Sequence, residues 1–200
     1  MCSNTRLTLH RFSVLPAMSL QGMLYCDIVE GSFNSQSFYT FIKGLIASNT
    51  TNSFPLQNSV IVMDNCRIHK HPDILAAIEK AWVSLLISYY LLICNRGMKY
   101  VFLPPYSPDF NPIELAFSAI KARVWRWGSY IWDQMTAAMR DPDHAYKVQS
   151  LLHRAVFEVT PDQATAWFRH CRYIWWPDYI VVAWIAGLTQ HPCAMVGLGG

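Results

Sequence analysis

The chain has 200 residues, 52% of them apolar and 14% charged, which is enough for one globular domain of ordinary size with a substantial core. A formal net charge of +3 permits a polyanionic partner without demanding one, so any nucleic-acid reading has to come from particular residues. Six scattered cysteines form no C-x-x-C pair, and no basic stretch followed by an apolar run opens the chain, which together predict an intracellular protein with reduced thiols and no secretion signal.

In chain order, 11–20 and 22–31 are short β-rich runs separated by Gln21 and Gly22, which predicts a hairpin. Residues 35–48 carry Phe38, Phe41, Ile42 and Leu45 at helical spacing, with serines ahead of them able to cap. "SVIVMDN" (59–65) is a continuous apolar run that stops at an acid, the pattern of a strand buried on both faces, so Asp64 stands at a strand's C-terminal end. A helix over 71–82 and a strand over 98–104 follow. From Asn111 a further helix sets Ile113, Phe117, Ile120 and Val124 on one stripe and Glu114, Ser118, Lys121 and Trp125 on another face. Beyond Trp125, residues 151–171 predict one or two more helices, with Thr160, Pro161 and Asp162 at a helix start. This is an α/β order. The apolar runs 83–94 and 179–188 are both shorter than the roughly 20 residues a spanning helix needs, so no membrane span is expected.

The stretch "LPPYSPDFNPIE" (103–114) is stiffened by four prolines, and Pro112 at a first helical position starts the helix abruptly, so Glu114 is delivered with little slack. An acid closing a buried strand and another opening a later helix can converge at one edge of the sheet, where open α/β folds place ligands. Two such carboxylates suit Mg²⁺ or Mn²⁺. Plainer readings compete residue by residue. Asn111 with Glu114 three positions on imitates a capping box. Asp64 followed by Asn65 is also a turn-former. His69, Lys70 and His71 read as a polar loop more readily than as a metal cluster, and Asp27 as a solvated or edge position on its strand. Lys121, Arg123 and Arg126, interleaved with Trp125 and Trp127, suit either phosphate contact and base stacking or a solvated helix face.

"VIVMDNCRIHKHPDI" followed by "FLPPYSPDFNPIELAFSAIKARV" resembles the DDE endonuclease domain of Tc/mariner-type transposases, in its fungal-like variety, over residues 11–173. The resemblance implies a ribonuclease-H-like mixed sheet flanked by helices, a pair of Mg²⁺ or Mn²⁺ ions, DNA transposon ends as partner, and cleavage followed by strand transfer. It assigns Asp64 and Glu114 as catalytic metal ligands, with Asn65, His69 and Asn111 supporting and Lys121, Arg123 and Arg126 as possible DNA contacts. A nuclear or otherwise intracellular protein, a homodimer or association with a full-length homologue follow from the same likeness.

Three departures qualify it. The family's first catalytic aspartate lies on a strand upstream of the segment matching "RFSVLPAMSL", whereas "MCSNTRLTLH" holds no acid, so the expected sheet is incomplete, its first strand missing, and the triad short of a member. A helix-turn-helix region is absent from the N-terminal side, the mark of a truncated element. The Asp64 to Glu114 interval exceeds the family's by about the length of an atypical apolar insertion at 83–96, whose ends can be encoded by splice-like signals and which reads as a translated intron. Residues 174–200 form an irregular apolar and Gly-rich tail, expected to pack poorly. The resulting expectation is a DDE-domain fragment, inactive alone; the alternatives are a non-catalytic nucleic-acid-binding or interaction module, and a decayed or mispredicted gene product without function.

Overall fold

The computed structural model describes residues 12–52, 56–80, 98–138, 142–173, 177–183 and 186–188, so the insertion at 83–96, the N-terminal segment and most of the tail lie outside the described residues. β1 (Phe12–Ser19) and β2 (Gly22–Glu30) form the expected antiparallel hairpin, closed by Leu20 and Gln21 between the paired Ser19 and Gly22. Gly22 takes φ +97, a left-handed conformation that a side chain would strain. Helix α1 (Ser35–Ala47) is capped by Asn34 rather than by a serine alone: the Asn34 Oδ1 accepts from the Ser37 N–H at 2.8 Å, and the Ser37 Oγ accepts from the Asn34 N–H at 2.8 Å.

The remaining order is β3 (Val60–Met63), α2 (Pro72–Lys80), β4 (Lys99–Phe102), α3 (Pro112–Arg126), α4 (Gly128–Ala138), α5 (Pro142–Phe157), α6 (Pro161–His170), β5 (Ile180–Ala183) and β6 (Ala186–Leu188). Thr160 caps α6 as its sequence predicts, with Gln163 completing a capping box. The strands make one mixed sheet in the order β2-β1-β5-β3-β4, with β6 also paired to β1. β3 is parallel to β4 and to β5, whereas β5 and β6 run antiparallel to β1. Pro16, which has no N–H to give a ladder, falls in the gap on β1 between the residues paired to β6 (Phe12 to Val14) and those paired to β5 (Ala17 and Met18).

The period of two along β3 divides the core. Ile61 and Met63 pack with Phe38, Phe41, Ile42, Leu45, Ile74 and Ile78 under α1 and α2. Val62 joins Ile113, Phe117, Ile120, Leu152 and Phe168 under α3, α5 and α6. The stripe expected on α3 is buried throughout. This is the α/β, ribonuclease-H-like mixed sheet flanked by helices that the motifs implied. The place beside β1 on the side away from β2 is held by β5, drawn from the stretch expected to pack poorly, and its Val181, Val182 and Ala183 are fully buried. Two β-branched side chains per turn of the pleat suit a central strand, and burying each valine contributes about 1.5–3 kcal/mol.

Candidate active site

β3 ends at Met63, and Asp64 follows at the C-terminal edge of the sheet. The Leu103 N–H donates to the Met63 carbonyl at 2.8 Å, so the exit from β4 is tied to the point where β3 delivers its acid. Asp64 Oδ1 accepts from the Cys66 N–H at 3.0 Å and meets His69 Nδ1, so the turn-forming role expected of this residue is real but occupies one oxygen. Among the described residues Oδ2 has no hydrogen-bond partner. His69 sits in a 3-10 turn (Arg67–Lys70), is 1% exposed, and lies with its ring centroid 4.2 Å from that of Phe38. It lies between the Phe38 ring and the Asp64 carboxylate. His71 instead points outward toward Asp73, at 3.7 Å, and among the described residues no metal-holding His cluster forms.

Glu114 enters from the first turn of α3, behind Pro112. The capping box that would explain it structurally is not made: the Asn111 N–H donates to the Pro108 carbonyl at 2.9 Å, and the Asn111 side chain caps nothing. Asn111 is 1% exposed with both side-chain amide atoms unpartnered, a costly arrangement for a buried polar group. The Glu114 carboxyl is held above the usual carboxylate range, first by burial and further by the charge of Asp64, with Lys121 opposing the rise. Ser118 Oγ donates to the Glu114 carbonyl at 3.2 Å, and Lys121 lies on the same helix face.

The basic set divides. Arg126 is exposed beside the largely exposed Trp125, whereas Arg123 turns inward: its guanidinium donates to the Ala155 carbonyl at 2.7 Å and meets Glu158 Oε2 at 3.2 Å. A side chain 9% exposed and bound to α5 and the residue beyond it is a staple between helices, so the expected DNA contact at Arg123 is replaced by a structural one. Asp27 is half-buried with Tyr25 and His153 as its electrostatic neighbours, and takes no part in the site.

Asp64, Asn65 and Cys66 floor a cleft of about 470 Å³ whose other wall is the proline-rich loop 103–108. Sequence reasoning treated that loop only as a rigid approach to Glu114 and passed over Tyr106. Tyr106 is 102% exposed and takes φ +56, a left-handed conformation that costs an aromatic residue roughly 1 kcal/mol or more. An aromatic flanked by prolines on both sides was the available signal.

A model of the DDE superfamily endonuclease family matches residues 4–136, a span that contains both acids, the cleft and the loop. The chain belongs to that family. The DDE domain supplies a transposase-like nuclease framework, and its family generally uses divalent metals. No curated protein and no solved structure matches the chain. Against the metal expectation, Asp64 Oδ2 and the Glu114 carboxylate are two hard oxygen donors of the right kind, but among the described residues no group of three or more His, Cys, Asp and Glu side chains gathers to hold an ion. Two carboxylates offer less protein ligation than a three-carboxylate site. Among the described residues no helix is long and apolar enough to cross a membrane.

Proposed function

We propose that this chain is a Tc/mariner-type DDE domain that binds DNA and, weakly, Mg²⁺ or Mn²⁺, and that does not cut DNA unaided. What supports the reading is the family match over residues 4–136, which takes in both Asp64, one residue past β3 and bordering the proline-walled cleft, and Glu114 in the first turn of α3. A bound divalent ion would polarise a phosphodiester oxygen and lower the pKa of a coordinated water. The chain's own groups do the rest: His69 and the Cys66 N–H contact one oxygen of Asp64, Glu114 would supply a second carboxylate from the first turn of α3, and Lys121 and Arg126 offer charge to neighbouring phosphates along that helix. Among the described residues no third acid joins them, and a cation held by fewer carboxylates binds less tightly, which favours a binding role over turnover.

Calorimetric titration with Mn²⁺ tests the metal half. Asp64→Asn should weaken binding at least about tenfold, as expected when a hard anionic ligand is lost. Duplex DNA should bind in the absence of metal with a salt-dependent affinity, and no nick should accumulate in supercoiled plasmid with Mg²⁺ present. Efficient nicking abolished by Asp64→Asn would make the chain an enzyme in its own right, and Mn²⁺ binding indifferent to Asp64→Asn would remove the site.

A further inference from the structure

Tyr106 is the one aromatic among the described residues that is wholly exposed, and its backbone sits in a region that bulky residues avoid. Nothing in the fold compensates for either property. Pro104, Pro105 and Pro108 remove most of the loop's freedom, the Ser107 Oγ bonds back to the Pro105 carbonyl at 3.3 Å, and the Leu103 N–H anchors the loop to the end of β3. The ring is thus held out on a stiff support rather than left on a slack one. It borders the same cleft that Asp64 and Asn65 floor.

Several simpler roles do not fit. A turn that needed a left-handed residue would be served by glycine or asparagine at lower cost. A core aromatic would be covered, and this one touches no apolar cluster. A helix-docking patch would need neighbouring apolar side chains, and the flanking positions are prolines and Ser107. What remains is a flat π-face presented to a flat ligand next to a phosphate-handling site, and nucleobases stack on aromatic rings with little regard to sequence.

We propose that Tyr106 is a base-stacking residue, whose ring takes an unpaired or unstacked nucleobase adjoining the phosphate that lies at Asp64 and Glu114. This rests on the DNA-binding reading above. The rigid loop sets the distance between stacked base and acid edge, so that contact at Tyr106 fixes which phosphate along the strand faces Asp64. The prolines make the ring pre-ordered, and little conformational freedom is lost when the base arrives.

The test uses the full chain, metal-free, and a DNA hairpin with a single-stranded 3′ tail carrying 2-aminopurine at successive tail positions. Stacking quenches the fluorescence of the base at one position. Wild type and Tyr106→Phe should quench alike, because the ring and not the hydroxyl does the work. Tyr106→Ala should lose the quench and bind about tenfold more weakly, with an unchanged dependence of affinity on salt because no phosphate contact is removed. Its melting temperature should not fall, since the ring is wholly exposed and alanine keeps the same backbone conformation at no greater cost. Equal quenching and affinity in Tyr106→Ala overturns the assignment while leaving DNA binding intact. Failure of every variant to bind the hairpin instead removes the DNA reading, and this inference with it.

Discussion

β3 and β5 lie side by side in the sheet, parallel and in register from Val60 and Ile180 to Val62 and Val182, yet they end differently. β3 runs directly into Asp64, whereas β5 ends at Ala183 and is followed in sequence by Trp184. As packing units the two are nearly interchangeable, each a short β-branched run buried on both faces. As chemical units they are not, because only one delivers a carboxylate to the edge where Glu114 arrives. The place of a central strand can be filled by any apolar run of adequate β-propensity, while a metal site needs a particular side chain one residue past a strand's end. Building the sheet and equipping its edge are thus separate requirements.

The largest expected effect addresses the packing half of that comparison. Val182 is fully buried and paired on both sides, to Met18 of β1 and Val62 of β3. Val182→Asp removes the buried methyls and leaves an unpaired carboxylate in the sheet, which should cost about 4 kcal/mol or more, a large share of a domain's stability. The same change at Val101 on β4, which is 50% exposed, should cost about 1 kcal/mol or less. Urea unfolding measures both. Similar losses at the two positions would mean that β5 does not hold the sheet's centre.

The chemical half is tested at the acid that follows β3. Asp64→Ala should weaken Mn²⁺ binding about tenfold or more by titration calorimetry, whereas Val182→Ala, which leaves every carboxylate in place, should not. Equal weakening by both would mean that packing of the sheet and not the acid past β3 sets the metal affinity.

What could be read in advance follows the range over which each feature is decided. β3 and α3 are set by patterns a few residues long, a β-branched run ending in an acid and an apolar stripe at helical period behind Pro112, and both form where expected. β5 was hidden for the opposite reason. Its run resembles the rest of an apolar tail, and its partners on β1 are more than a hundred residues away in sequence, so nothing local distinguishes a central strand from surplus hydrophobicity. Arg123 reads as one more cation on a helix face until Glu158, which has no sequence relation to it, is folded against it. Asn111 misleads similarly: its spacing to Glu114 is that of a capping box, yet the Pro108 carbonyl takes its N–H and burial takes its side chain. The candidate acids Asp64 and Glu114 are named by motif and strand end, but the contact of His69 with Asp64 and the exposure of Tyr106 depend on packing that no spacing encodes.

The smallest effect concerns the strand edge itself. Burial and the charge of Asp64 raise the Glu114 pKa in the folded chain, so its folded form keeps the proton to higher pH than its unfolded form does. The stabilising contribution of the protonated group is complete below the unfolded carboxylate range and is lost as pH rises through the folded pKa, so at neutral pH an ionised Glu114 works against folding. Glu114→Gln should therefore raise the melting temperature slightly at pH 7, and the gain should fade below about pH 4, where both states are protonated. The same substitution should weaken Mn²⁺ binding, opposing stability to ligation at one residue. Wild-type Mn²⁺ affinity should begin to fall on acidification at a higher pH than for a free glutamate, because proton and cation compete for the same raised group. A Glu114→Gln variant that melts lower than wild type by the same margin at pH 4 and pH 7 would return Glu114 to the helix as a structural residue, leaving Asp64 alone at the end of β3 with no second acid to answer it.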